Sequence, residues 1–277
     1  MKRFASALAI SSILFISVAA PTTAQTTGKG KISASLTVTE SGIWRAIQKG
    51  VEYRRLAFER SEPSSTLELK LLRLDSRLIA AKVLTAADFQ LKSANAKTFA
   101  EKSSAFAAIN ANYFDDKGRA LAYLKAGSQE INRNVSKHAL YTGVFAVHDA
   151  TPVVLHRDDF QPAQVGEALQ AGPLLLNHGA PVDIMNGLGR YARRAMIGVD
   201  KQGRIIVGVT DAVIGGLSFA ELQELFGNPK WQLDTPDLLN LDGGGSAQLF
   251  VKSGKFEEFV AGTAEVPVAI GFYTKSK

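Results

Sequence analysis

The chain has no cysteine, four histidines, three methionines and two tryptophans in 277 residues. Each shortage closes a class of chemistry. Without cysteine there is no disulfide framework, thiol nucleophile, thiolate-bound metal or lipoprotein-type acyl anchor. His138, His148, His156 and His178 lack the helical spacing that assembles a metal site, so no metal or other cofactor is expected. No extended run of Lys and Arg with interleaved aromatics is present, which argues against nucleic acid as a partner. The 32 basic and 26 acidic residues leave a charge of +6, spread thinly along the chain. What is present in quantity is apolar residue, 46% of the chain, enough for a core that needs no cross-links.

The one long apolar stretch lies at the start, in MKRFASALAISSILFISVAAPTTAQTTGKG (residues 1–30). Lys2 and Arg3 precede an apolar segment interrupted by Ser11, Ser12 and Ser17, and small residues follow. This is the three-part pattern of a secretory signal, and it falls short of the about 20 apolar residues that span a bilayer. Cleavage is expected after Ala24, because Pro21 disfavours a cut after Ala20, and removal of residues 1–24 leaves a charge of roughly +4. The mature protein is expected in the periplasm or medium, with no stable membrane anchor.

Residues 25–66 read as a linker and lead-in, and residues 67–277 as the principal domain. Alternation predicts a strand over 67–74 (LELKLLRL), and 105–109 (AFAAI) reads as a buried strand feeding a loop at Asn110. Residues 142–148 and 152–155 read as a hairpin, as do 197–199 and 205–210 around Asp200-Lys201-Gln202-Gly203. Residues 86–102 are expected to be helical in part. Ser218 with Glu221 three positions on forms a capping-box pattern for a helix reaching Phe226, stopped by Gly227 and Pro229. Strands outnumber helices without a regular β-α-β rhythm. The expectation is therefore an α+β single domain on mixed or antiparallel β-sheets with flanking helices.

Three stretches carry chemistry. In NLDGGGSAQLF (residues 240–250) a strand delivers Asp242 into three glycines and Ser246, where the backbone is free to take positive φ and approach a ligand closely. In INANYFDDKGRA (residues 109–120), Asn110 and Asn112 offer amides suited to sugar hydroxyls, Tyr113 offers a ring face, and Asp116 to Gly118 reads as a plain turn. In 170–200, Gly172-Pro173 opens an apolar run, and Arg190, Arg193 and Arg194 precede a strand that would send the last two to opposite faces. A guanidinium fork suits a phosphate or carboxylate.

Residues 110–114 (NANYF), 171–175 (AGPLL), 194–198 (RAMIG), 216–222 (GLSFAEL) and 240–246 (NLDGGGS), in this order, resemble the phosphodiester glycosidase family over roughly residues 67–272, with Ala111, Asn112 and Ala195 standing where the family pattern has two glycines and a threonine. The resemblance implies hydrolysis of a sugar-1-phosphodiester, of the N-acetylglucosamine-1-phosphodiester type, at the anomeric C–O bond. It implies Asp242 as nucleophile or general base, and Arg194 stabilising the departing anion with the Gly243 and Gly244 N–H groups. Asn110, Asn112, Tyr113 and Gly172 would face the sugar, with Ser246 beneath the loop. Asp115, Asp211 and Glu221 compete to be the second carboxylate that glycosidases usually need, and Glu221 also serves as the helix cap. The partner would be a sugar-phosphate or cell-envelope glycan. Two other readings stay open: a non-catalytic envelope-glycan binder, and a metal-dependent phosphodiesterase built on Asp242, Asp211 and a histidine.

Overall fold

A computed structural model describes residues 29–275 apart from 128 and 186, so the expected signal segment lies outside the described residues. The described chain forms a ten-stranded sheet and two five-stranded sheets. In the large sheet the main run of neighbours is Leu36–Ser41, Val51–Arg60, Ser65–Leu74, Ile205–Asp211, Ala195–Val199, Asp237–Asn240 and Leu174–Asn177. One smaller sheet holds Phe256–Val260, Leu249–Ser253, Ala107–Asn110, Val268–Thr274 and Ile79–Thr85 in that order. The other holds Thr151–His156, Gly143–His148, Glu167–Ala171, Leu124–Ala126 and Gln129–Asn132.

Every ladder among the described residues is antiparallel, and only two α-helices form, Ala96–Ser103 and Phe219–Gly227. The fold is thus mostly antiparallel β, with less helix than the α+β expectation implied and no mixed sheet. The reason is legible in the connections: Asp200-Lys201-Gln202-Gly203 and Asp149-Ala150 make tight hairpins, which join only antiparallel neighbours. The edge expected at residue 67 falls inside Ser65–Leu74, whose ten residues all pair with Val51–Arg60 of the lead-in segment.

Alternation along the large sheet builds two cores. Ile197, Val207 and Leu239 point to one face and meet Ile109, Leu249 and Ile270 of one small sheet and Phe145 and Leu169 of the other. Their neighbours Met196, Ile206 and Leu238 point to the opposite face, which Leu222, Leu225 and Phe226 of the second helix cover together with Trp231. That helix starts as its sequence predicts: Ser218 accepts from the Glu221 N–H while the Glu221 carboxylate accepts from the Ser218 N–H. Several strand ends converge at one end of the large sheet, namely the C-termini of Asp237–Asn240 and Ile205–Asp211 and the N-termini of Ala195–Val199 and Leu174–Asn177.

Candidate active site

At this end Asp237–Asn240 stops and the backbone crosses to the neighbouring sheet. The Leu241 N–H still donates to the Ala195 carbonyl at 2.9 Å, but the Asp242 N–H donates to the Ala111 carbonyl at 3.0 Å. Asn110, fully buried, locks the crossing. Its Nδ2 donates to the Asp242 carbonyl at 2.7 Å, and its Oδ1 accepts from the Gln248 N–H at 3.0 Å. The expectation that Asn110 faces the sugar is therefore corrected: its amide is turned to backbone, where an unmade bond to either carbonyl or N–H would be costly. Asn112 is buried as well, and its Nδ2 donates to the Tyr113 carbonyl at 3.0 Å.

The three glycines have distinct reasons. Gly244 takes a φ of +59°, which a residue with a side chain adopts only under strain. A Cβ on Gly243 would stand 2.8 Å from the Arg193 carbonyl oxygen, and one on Gly245 2.7 Å from Thr263 Oγ1. The close approach is thus to neighbouring protein. Their N–H groups also differ from expectation as anion donors: Gly243 N–H donates to Asp242 Oδ1 at 2.9 Å and Gly244 N–H to the Arg193 carbonyl at 2.9 Å.

Asp242 itself is half-buried at the head of this loop. Burial pushes its carboxyl above the usual aspartate range, and hydrogen bonds from the Ser246 hydroxyl and the Gly243 N–H pull back only part of the rise. Ser246 closes the turn Gly244–Ser246, with its hydroxyl turned to the carboxylate.

Arg194 is the second unusual charge. Just before Ala195–Val199, it is buried, and its guanidinium lies 3.8 Å from the centre of the Phe219 ring. Nε donates to the Leu217 carbonyl at 2.9 Å and Nη2 to the Arg190 carbonyl at 2.6 Å. Among the described residues no carboxylate comes within ion-pair distance of it. Burial, with the Arg190 charge nearby, brings its pKa down to about 10. Arg193 points the other way, with Nη2 on the Ala247 and Ala261 carbonyls, as strand alternation requires.

Tyr113 stands within the electrostatic reach of both. Burial and the Asp242 charge push its phenol far up, while Arg194 acts in the opposite sense. Its hydroxyl donates to the Gly172 carbonyl at 2.8 Å and accepts from Asn240 Nδ2 at 3.0 Å. Asn240 also donates to Gly172 at 2.8 Å, so Gly172 serves as an anchor for Tyr113 and Asn240. A Cβ on Gly172 would sit 1.9 Å from the Leu140 carbonyl oxygen, which makes glycine obligatory there.

Two residues missed by sequence reasoning extend this wall. The Tyr141 ring packs 5.4 Å from Tyr113, tilted by 37°, and His138 packs 5.1 Å from Tyr141, tilted by 38°. The Tyr141 phenol is raised by burial and by the Asp242 charge. The ladder runs from half-buried Tyr113 and Tyr141 to exposed His138. Its only sequence signal was an aromatic residue just ahead of the strand Gly143–His148, which does not by itself point to a site.

The expected second carboxylates lie elsewhere. Glu221 is buried against Arg60, accepting from Nη1 and Nη2 at 2.8 Å each, so its place among the substrate residues is corrected to a structural one. Asp211 accepts from Lys70 at 2.8 Å, and Lys70 also donates to Glu258 at 2.9 Å. Asp115 is held by Arg119 Nε at 2.8 Å in an exposed turn. Among the described residues no three His, Asp or Glu side chains converge, so Asp242 and Asp211 are not brought together with a histidine.

A half-buried carboxylate, a buried guanidinium without an ion-pair partner among the described residues and an aromatic wall thus gather around Tyr113. The sequence model of the phosphodiester glycosidases matches residues 103–273, and the chain belongs to that family. It is accordingly a hydrolytic enzyme acting as a glycosidase on phosphodiesters. The structure resembles the catalytic domain of zebrafish N-acetylglucosamine-1-phosphodiester alpha-N-acetylglucosaminidase, auto-inhibited by its pro-peptide. That likeness has a TM-score of 0.64 at 12% identity, covering 87% of this chain and 89% of that one. A hypothetical protein from Synechocystis aligns with a TM-score of 0.61 at 16% identity, over 82% of this chain and 63% of the other. At such identities the likeness is one of fold. Among curated proteins no match is found.

Proposed function

We propose that the protein is an exported hydrolase that cleaves a sugar-1-phosphodiester, of the N-acetylglucosamine-1-phosphodiester type, at the anomeric C–O bond. The observation that carries the reading is the buried Arg194 guanidinium, free of any carboxylate within ion-pair distance among the described residues, sharing the Tyr113 phenol's surroundings with the single carboxylate of Asp242. A buried cation without a counter-ion favours an anion, here the phosphate of the substrate. In this reading the sugar lies against Tyr141 and His138 with its anomeric carbon facing Asp242.

The missing second carboxylate agrees with this chemistry. A phosphodiester leaves as a weakly basic phosphate, so no general acid is required to protonate it. Asp242 takes a proton from water, the water oxygen bonds to the anomeric carbon, and the C1–O bond breaks with its electron pair going to the phosphate. The carboxyl, raised by burial, is suited to a base. Arg194 stabilises the negative charge as it gathers on the leaving oxygens. Export rests on the expected signal segment in residues 1–24.

The test is hydrolysis of an N-acetylglucosamine-1-phospho-methyl diester in oxygen-18 water, with and without EDTA, by the native protein and by Asp242→Asn. Label in the sugar, unaffected by EDTA and lost in the variant, is expected, and the sugar first released should have inverted configuration by proton NMR. Retention would make Asp242 the nucleophile. Label in the phosphate, abolished by EDTA, would replace this reading with a metal-dependent phosphodiesterase, and tight binding of intact diester would replace it with a glycan binder.

A further inference from the structure

Nine large hydrophobic side chains are exposed among the described residues, and five of them fall in two short segments, Met185, Leu188 and Tyr191 in one and Val213 and Ile214 in the other. Met185 is 86% exposed, Ile214 70% and Val213 fully so. Scattered singly, such residues would need no explanation, but these two segments are joined. The N–H of Ala192 donates to the Leu217 carbonyl and the N–H of Leu217 returns to Ala192, at 3.4 and 3.0 Å, and the Ala220 N–H holds the Leu188 carbonyl at 3.1 Å.

The same two segments hold Arg194, one through the Arg190 carbonyl and the other through the Leu217 carbonyl. Leu188 is two residues from Arg190, a reach of at most about 7 Å, and Ile214 is three from Leu217, at most about 11 Å. Leu188 and Ile214 are thus held within those reaches of the two residues whose carbonyls bind a buried cation, with the exposed Arg190 as a second positive charge. The aromatic wall of Tyr113 and Tyr141 stands within reach of the Asp242 charge, and Arg194 acts on Tyr113 alone of the two. A ligand whose ring faces Asp242 and whose phosphate meets Arg194 continues over the apolar tips.

We propose that the group on the far side of the phosphate is a long-chain alcohol, so that the substrate is a lipid-linked sugar-1-phosphodiester and the products are the free sugar and an alkyl phosphate. The inference rests on the phosphodiester reading above. Charge and apolar surface match the two parts of one molecule: the cations take the phosphate, and Met185, Val213 and Ile214 take the alkyl chain, whose removal from water rises with each methylene. In the cleavage, water adds to the anomeric carbon and the alkyl phosphate departs with the electrons of the C1–O bond.

The test compares N-acetylglucosamine-1-phospho-methyl and -decyl diesters, each below its micelle concentration, using the full chain and a Met185→Ser, Val213→Ser, Ile214→Ser variant. The wild type should show kcat/KM about tenfold higher for the decyl diester, as expected when about two methylene groups find apolar surface. The variant should lose that preference while cleaving the methyl diester at the wild-type rate. Equal rates for both diesters in the wild type, or a preference retained in the variant, would overturn the proposal. Calorimetry of decyl phosphate against methyl phosphate separates the two readings. If neither diester is cleaved, tighter binding of decyl phosphate that the variant loses would keep the lipid site and remove only the reaction, whereas equal binding would remove both. Sedimentation velocity showing a wild-type dimer that the variant breaks, with no chain-length effect, would reassign the surface to a second copy of the chain.

Discussion

Asp242 holds its proton more tightly than a surface aspartate because burial outweighs the Ser246 and Gly243 hydrogen bonds. For stability, a carboxyl raised in the folded state contributes most below the ordinary aspartate value of about 3.9, and that contribution is lost as pH rises through the raised value. At pH 7 the ionised group therefore opposes folding. Asp242→Asn, which retains an Oδ1 to accept from Gly243, should unfold at an equal or higher temperature than the wild type at pH 7 while losing about 10²–10⁴ in kcat. Calorimetry beside steady-state kinetics checks both halves, and a marked drop in Tm would make Asp242 a structural residue. The acid limb of wild-type kcat/KM should fall at a pH above the ordinary aspartate value. Arg194→Met should lower kcat/KM for the alkyl diester by about 10²–10³. Of these residues, Asp242 stood out in the sequence through the glycine-rich loop it opens and Arg194 through the resemblance carried by residues 194–198. Tyr141 did not, since nothing local distinguishes a ring that meets Tyr113 only after folding.

The second helix and the loop before it hold Arg194 in place. Arg60 Nη2 donates to the Gly216 carbonyl at 2.9 Å and both Nη atoms grip Glu221, which caps the helix at Ser218; between them the Leu217 carbonyl faces Arg194. Burial pushes the Glu221 carboxyl up, but the Arg60 and Ser218 hydrogen bonds and the Arg60 charge leave it below its usual value. Such a group stabilises the fold above the ordinary glutamate value of about 4.3, and the contribution is lost as pH falls through the lowered one. Glu221→Leu should cost about 3–5 kcal/mol in urea unfolding at pH 7, because it strands Arg60, and the deficit should shrink on acidification. Replacing both partners, Arg60→Met with Glu221→Leu, should recover much of the loss; no recovery would mean that the pair acts only through the cap. The capping box was legible from Ser218 and Glu221, three positions apart within one turn. Arg60, 161 positions away in the chain, was not.

Across the whole molecule the large sheet continues through the proposed edge at residue 67, since Val51–Arg60 pairs with Ser65–Leu74 over ten residues and buries Leu56 and Phe58. A chain beginning at residue 67 would expose the partner strand's edge and the apolar face beneath it. It should be recovered insoluble or without a cooperative unfolding transition, whereas a chain beginning at residue 29 should fold. Expression of both, followed by thermal unfolding, decides where the folding unit starts; a cooperative transition in the shorter chain would restore the edge at 67.

What the sequence determined by itself was local: hairpins from their turns, the helix start from its cap, and the Asp242 loop from its glycines and the strand before it. These follow from backbone conformation and short-range hydrogen bonds, which neighbours in the chain are enough to specify. The tertiary structure decided what each charge does. It spent Asn110 and the Gly243 and Gly244 N–H groups on protein partners, and it turned Glu221 to Arg60 and Asp211 to Lys70, so that neither joins Asp242. Those outcomes depend on which buried polar groups meet when three sheets converge, and a buried group's partner is set by the whole fold.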